Sequence, residues 1–168
     1  MTSHQLIQKS MLSAANKWLL KLDREASCLE VLKRVSNDRL ENYYSLRDDF
    51  DSSEYALFEK ERELKCIFGG TNTPTPTGLF RIERKSDDEY ISGYYPKLDK
   101  VKFFGYLVIF EDYFIHSDLY EVGVDKDSLD ITEPISGGDS ATAGCIRVSR
   151  EDLGWLLENI DCGTMVIM

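Results

Sequence analysis

The stretch SATAGCIRVSRED, Ser140 to Asp152, sets a cysteine directly after a glycine and ahead of an apolar run. Gly144 admits a positive φ and leaves no side chain between solvent and the amides around Cys145. Bare amides beside a thiol suit acyl transfer: the thiol attacks a carbonyl, and the amides of Gly144 and Cys145 hold the oxygen that turns negative. Such a nucleophile needs a base near neutral pH, commonly a histidine that a third group orients. The chain has two histidines. His4 lies in a polar N-terminus, whereas His116 ends the strand-like run EDYFIHS and emerges at a loop. His116 is therefore the candidate base, and the adjacent Ser117 offers a carbonyl or a hydroxyl to hold the imidazole tautomer. Arg147 shares a face with Cys145 if the segment is extended, and its planar fork suits a substrate carboxylate.

The same residues have plainer readings. A free cysteine in an apolar run is usually a small buried hydrophobe, which is the reading for Cys28, Cys66 and Cys162. A lone histidine at a strand end is commonly structural, and a glycine such as Gly144 also serves simple turns. Spacing alone leaves these alternatives open. Other chemistries fit less well. Asp118, Asp125, Asp127 and Asp130 lie in one loop and read as a solvated acidic stretch, not as a paired general acid and base. The segment GDSAT lacks the second glycine of a serine nucleophile elbow. The four cysteines are widely and irregularly spaced with no CxxC, which argues against a disulfide framework. No His/Cys cluster has zinc spacing, so no metal is expected.

These residues must be positioned by something. From Gln5 to about Val35, apolar residues including Leu6, Met11, Trp18, Leu22, Leu29 and Val35 recur at three- and four-residue steps, which predicts one or two amphipathic helices whose apolar stripe is core. After Asn37 the texture changes to short runs rich in Tyr, Phe, Ile and Val: NYYSL, EYALFE, LKCIF, GLFRIER, VKFFGYLVIF, DYFIH and GTMVIM. Gly, Pro, Asn and Asp clusters separate them, as in a mostly antiparallel β domain. GGTNTPTPTG, Gly69 to Gly78, reads as a rigid surface loop because Pro74 and Pro76 fix φ and remove donors. The stretch from Ser117 to Ala143 is long and aperiodic, a length that is usually functional or mobile. Ser149 and Asp152 form a capping arrangement ahead of Leu153, Leu156 and Ile160, predicting a last helix. The expected architecture is thus mainly β, sandwich- or barrel-like, with an N-terminal helical segment and a C-terminal capped helix, α+β overall. It divides into residues 1–40 and 41–168.

A length of 168 residues allows one good core, and 42% hydrophobic with 30% charged residues is ordinary for a globular chain. The net charge of −10 repels a phosphate backbone and disfavours nucleic acid as a partner. No run is long enough for a membrane span, and no secretory signal pattern is visible at the N-terminus, so the chain as written starts in the cytoplasm.

Four pieces, in order, resemble the L,D-transpeptidase catalytic domain, the YkuD family: the TPTPTG loop followed by LFRIE, the strand ending FIHS, the block TAGCIRV, and CGTMVIM after a capped helix. The resemblance spans about Tyr55 to Met168. It implies a β-rich enzyme without a cofactor that acts on the tetrapeptide stems of peptidoglycan. In that frame His116 is the general base and Ser117 the residue whose carbonyl orients it. Thr142 takes the family's Ser/Thr position, Gly144 and Cys145 bear the oxyanion hole and nucleophile, and Arg147 is the final polar residue. Cys145 attacks the carbonyl before the terminal D-residue, and the acyl group passes to an amine or to water.

The sequence departs from the family pattern at three points. Ala143 stands where the family has a second histidine, the loop from Ser117 to Ala141 is longer than usual, and no signal peptide is seen although the family acts at the periplasm or cell wall. The last point implies a trimmed start or another export route, and a delivered toxin with an immunity or delivery partner is the alternative reading. A non-catalytic cell-wall or protein-binding module on the same fold is a further one. It explains less well why both His116 and Cys145 are kept. The sequence does not fix the oligomeric state.

Overall fold

The computed structural model describes residues 3–13, 16–40, 51–93 and 95–168. Short strands dominate, as the β-branched and aromatic runs require. In chain order they are β1 (His4–Gln8), β2 (Trp18–Asp23), β3 (Cys28–Arg34), β4 (Tyr55–Ile67), β5 (Leu79–Arg81), β6 (Arg84–Ser92), β7 (Val101–Phe110), β8 (Tyr113–His116), β9 (Tyr120–Glu121), β10 (Ile146–Val148) and β11 (Met165–Ile167). The capped helix, Arg150–Asn159, lies between the last two. Hydrogen-bonded neighbours run β5-β11-β2-β3-β4-β10-β8-β7-β6, with β1 added to β4 and β9 to β7. The long strand β4 pairs with β1 and β3 and, at its far end, with β10, so it joins the two halves of the sheet. Most pairs are antiparallel, while β10–β8 and β11–β2 are parallel.

The mainly β class holds, but the stretch expected to be N-terminal helices does not form them: β1, β2 and β3 occupy it. The cause is burial on both faces. Leu20, Leu22, Leu29 and Val31 face the main core with Leu107, Ile115 and Leu156, while Leu19 and Leu32 face a second core around Phe58 and Met165. A strand apolar on both faces loses its two-residue alternation, and its leucines then fall by chance at helical spacing. A tight turn joins β2 to β3, with Asp23 Oδ1 accepting from the Ala26 N–H at 2.9 Å and Ser27 in the left-handed region. The run NYYSL, 42–46, lies outside the described residues.

The capped helix forms as its sequence predicts: the Ser149 hydroxyl accepts from the Asp152 N–H, and Leu153 and Leu156 are buried. Its other end is held by Lys85 of β6, whose ammonium donates to the carbonyls of Leu157 and Ile160, both at 2.8 Å. A third apolar cluster, Val101, Phe103, Val108, Phe114 and Leu119, lies under the site described next, and Cys145 packs against it.

Candidate active site

Strands β8 and β10 lie side by side in parallel, with Ile146 opposite Ile115 and Arg147 opposite His116. This register brings together residues separated by the whole 117–144 loop, since adjacent strands are only about 5 Å apart. His116 ends β8, Cys145 immediately precedes β10, and both line an open cleft of about 850 Å³.

His116 is buried, and its ring lies against that of Phe103 with centroids 4.1 Å apart and planes within 10°. Its Nδ1 is 2.6 Å from the carbonyl oxygen of Ser117, itself buried. A carbonyl only accepts, so Nδ1 carries the proton and Nε2 keeps its lone pair for the cleft. Burial pushes the imidazole pKa down to about 3; the Ser117 bond opposes this and the Arg147 charge adds to it. The ring is therefore a neutral imidazole at physiological pH.

Cys145 is half-buried. Its Sγ lies 3.4 Å from the Phe114 N–H and 3.5 Å from the Asp112 carbonyl oxygen. Burial raises the thiol pKa; Phe114 N–H and Arg147 pull it back, and Asp112 pushes it further up. No hydrogen bond joins Sγ to His116 among the described residues, and burial disfavours the charged form of both side chains.

Gly144 has φ +120°, and a Cβ there would sit 2.6 Å from Tyr113 Cε1, so this position takes only glycine. Its N–H donates to Thr142 Oγ1 at 3.1 Å, while that hydroxyl donates to the Cys145 carbonyl at 2.5 Å. Thr142 thus braces the loop that carries Cys145. Of the two amides expected to meet an oxyanion, Gly144's is committed to this brace. Arg147 is buried: Nη1 donates to Asp139 Oδ2 at 3.2 Å and to the Ser136 carbonyl at 3.4 Å, and Nε has no partner among the described residues. The same arginine that lines the cleft therefore pins the long 117–141 loop. Ala143 is exposed at the cleft wall.

Sequence reasoning missed the part played by TPTPT. Thr75 is buried, not a surface residue, and its hydroxyl accepts from the Gly69 N–H and donates to the Gly144 carbonyl, both at 2.8 Å. Thr73 Oγ1 donates to the Thr142 carbonyl at 2.9 Å. The alternation Thr-Pro-Thr-Pro-Thr was the available signal, because an extended, proline-stiffened segment puts every second side chain on one side. Among the other cysteines, Cys28 and Cys66 are buried as expected, with burial raising their thiol pKa to about 11 and about 12, whereas Cys162 is exposed.

The sequence model of the L,D-transpeptidase catalytic domain, YkuD, matches residues 49–168. The chain belongs to this family. Solved structures with the same fold include an L,D-transpeptidase (Yku) from Stackebrandtia nassauensis, 16% identical with a TM-score of 0.56, covering 94% of this chain and 57% of that one. Another is Mycobacterium tuberculosis L,D-transpeptidase 1, 12% identical with a TM-score of 0.55, covering 90% and 60%. An Enterococcus faecium L,D-transpeptidase matches at 14% identity and a TM-score of 0.54, covering 90% and 49%. The chain thus spans about half to six-tenths of the length of these structures. Among curated proteins, none matches this sequence.

Proposed function

We propose that this chain is a cysteine acyltransferase acting on peptidoglycan stem peptides at the cell wall, with Cys145 as nucleophile and His116 as base. The observation that carries the reading is the Nδ1–H bond to Ser117, which fixes the tautomer whose Nε2 is free to accept a proton in the cleft that Cys145 lines. The thiol turns from Asp112 toward Nε2 and attacks the carbonyl before the terminal D-residue. The S–C bond forms as the thiol proton passes to His116. The tetrahedral intermediate collapses, the C–N bond breaks, and the departing amine takes the proton from His116. An acceptor amine or water, deprotonated by the same imidazole, then attacks the thioester and releases Cys145. An amine gives a crosslink and water gives trimming.

Incubation with a synthetic tetrapeptide stem ending in D-alanine tests the reading. Mass spectrometry should find D-alanine released and the remaining tripeptide acyl group on Cys145, with neither product formed by Cys145→Ala or His116→Ala. Turnover that survives the loss of Cys145, or release of the N-terminal residue instead, would overturn it.

A further inference from the structure

We propose that Thr75 is a positioning residue for the oxyanion-holding peptide, and that Arg24 holds Thr75 in place from the opposite side of the loop. The inference rests on the acyl-transfer reading above. One peptide unit links Gly144 to Cys145. In a trans peptide the C=O and N–H point in opposite directions. The Gly144 carbonyl is drawn toward the buried Thr75 hydroxyl at 2.8 Å, so the Cys145 N–H is turned away from the 69–78 loop. Of the two amides flanking the thiol this is the one left for an oxyanion, because Thr142 takes that of Gly144. Thr75 also accepts from the Gly69 N–H, which fixes its hydroxyl proton on the Gly144 oxygen. A peptide held this way needs no reorientation when charge develops.

Thr75 needs an anchor of its own, because a proline-flanked segment has few amides with which to bond. Arg24, in the β2–β3 turn, supplies it: one guanidinium nitrogen donates to the carbonyls of Thr75 and Pro76, both at 3.0 Å, and lies 3.4 Å from Thr77 Oγ1. The guanidinium also sits over the ring of Phe68, 5.7 Å from its centroid. The relay therefore runs from a turn in the N-terminal strands, through the loop, to the amide beside the nucleophile.

The test separates chemistry that builds an oxyanion from chemistry that does not. p-Nitrophenyl acetate acylates a thiol through a tetrahedral oxyanion: the S–C bond forms, nitrophenolate leaves, and the thiol proton goes to His116. Iodoacetamide alkylates the same sulfur by direct displacement of iodide, with no oxyanion. Both rates are measured at Cys145 by peptide-resolved mass spectrometry for the full-length wild type, Thr75→Val, Thr75→Ser and Arg24→Met. In Thr75→Val the acylation rate should fall by about tenfold to a hundredfold, while alkylation stays within about twofold. Thr75→Ser should restore acylation, and Arg24→Met should show a smaller loss with the same split. Parallel loss of both rates would mean that Thr75 only supports the fold, and unchanged acylation would mean that it positions nothing; either result overturns the proposal. A wild type that is alkylated at Cys145 but not acylated would instead overturn the acyl-transfer reading, and the role of Thr75 with it.

Discussion

The imidazole of His116 is held between two partners at right angles to one another's chemistry: the Ser117 carbonyl at 2.6 Å in its plane and the Phe103 ring stacked on its face. The first needs a proton on Nδ1, while burial, with the Arg147 charge adding to it, disfavours a second proton on Nε2. The ring is thereby tuned to be neutral and aimed, at the cost of basic strength.

That tuning makes stability depend on pH. The folded-state pKa of about 3 lies below the ordinary 6.5, so the unfolded chain binds the extra proton first as pH falls. The contribution is fully present above pH 6.5 and is lost progressively between 6.5 and about 3. Urea unfolding at pH 7.5, 5.5 and 4 should show wild type losing a few kcal/mol more than His116→Gln over this range. Parallel pH profiles for the two proteins would show that His116 is not buried as a neutral ring.

The thiol should titrate high. Burial holds Cys145 above the usual thiol range, and no imidazolium stands beside it to offset this. The iodoacetamide rate at Cys145 should therefore keep rising past pH 9, and His116→Ala should change it little while abolishing acyl transfer. A plateau below neutral pH would mean a preformed thiolate–imidazolium pair, which this geometry does not contain.

Gly144→Ala brings two penalties together. The new Cβ meets the Tyr113 ring at 2.6 Å, and φ +120° is a region that residues with a side chain rarely adopt. Unfolding free energy should fall by about 2 kcal/mol or more. Adding Tyr113→Ala should relieve only the clash and leave the backbone part, which a double-mutant comparison by urea melts reads directly.

Lys85→Met tests a support remote from the chemistry. It removes two bonds to the helix's last carbonyls, at Leu157 and Ile160, and should cost about 1–3 kcal/mol in urea or guanidinium melts. The acyl-transfer rate should not change, since neither carbonyl touches the cleft. A loss of rate comparable to that of His116→Ala would show that the helix end communicates with the site.

The candidate site was legible in the sequence because its residues fall in two short segments. Gly144–Cys145–Ile146–Arg147 and Phe114–Ile115–His116–Ser117 are each a run of adjacent residues, and parallel pairing of β8 with β10 brings the two runs together. What was not legible depended on partners distant in the chain. Leu19 and Leu20 point to opposite cores, so the alternation that marks a strand is absent from β2. The Thr75 hydroxyl meets a Gly144 carbonyl 69 positions along the chain, and Arg24 meets a Thr75 carbonyl 51 positions along. Residue type does not encode either.

The N-terminal strands are the part of the chain whose residue pattern least resembles the structure it forms. The family match begins at residue 49, yet β2 lies between β3 and β11, and Leu19 and Leu20 are fully buried. Removing residues 1–48 would strip β4 of β3 on one edge and of β1 on the other, strip β11 of β2, open both cores and delete the Arg24 clamp. Leu20→Ala alone should cost about 2–5 kcal/mol. A fragment of residues 49–168 should therefore show no cooperative urea transition and bind a hydrophobic dye, whereas the full chain unfolds in a single step. A fragment that melts cooperatively would mean that the N-terminal strands are an addition to the catalytic domain and not a structural part of it.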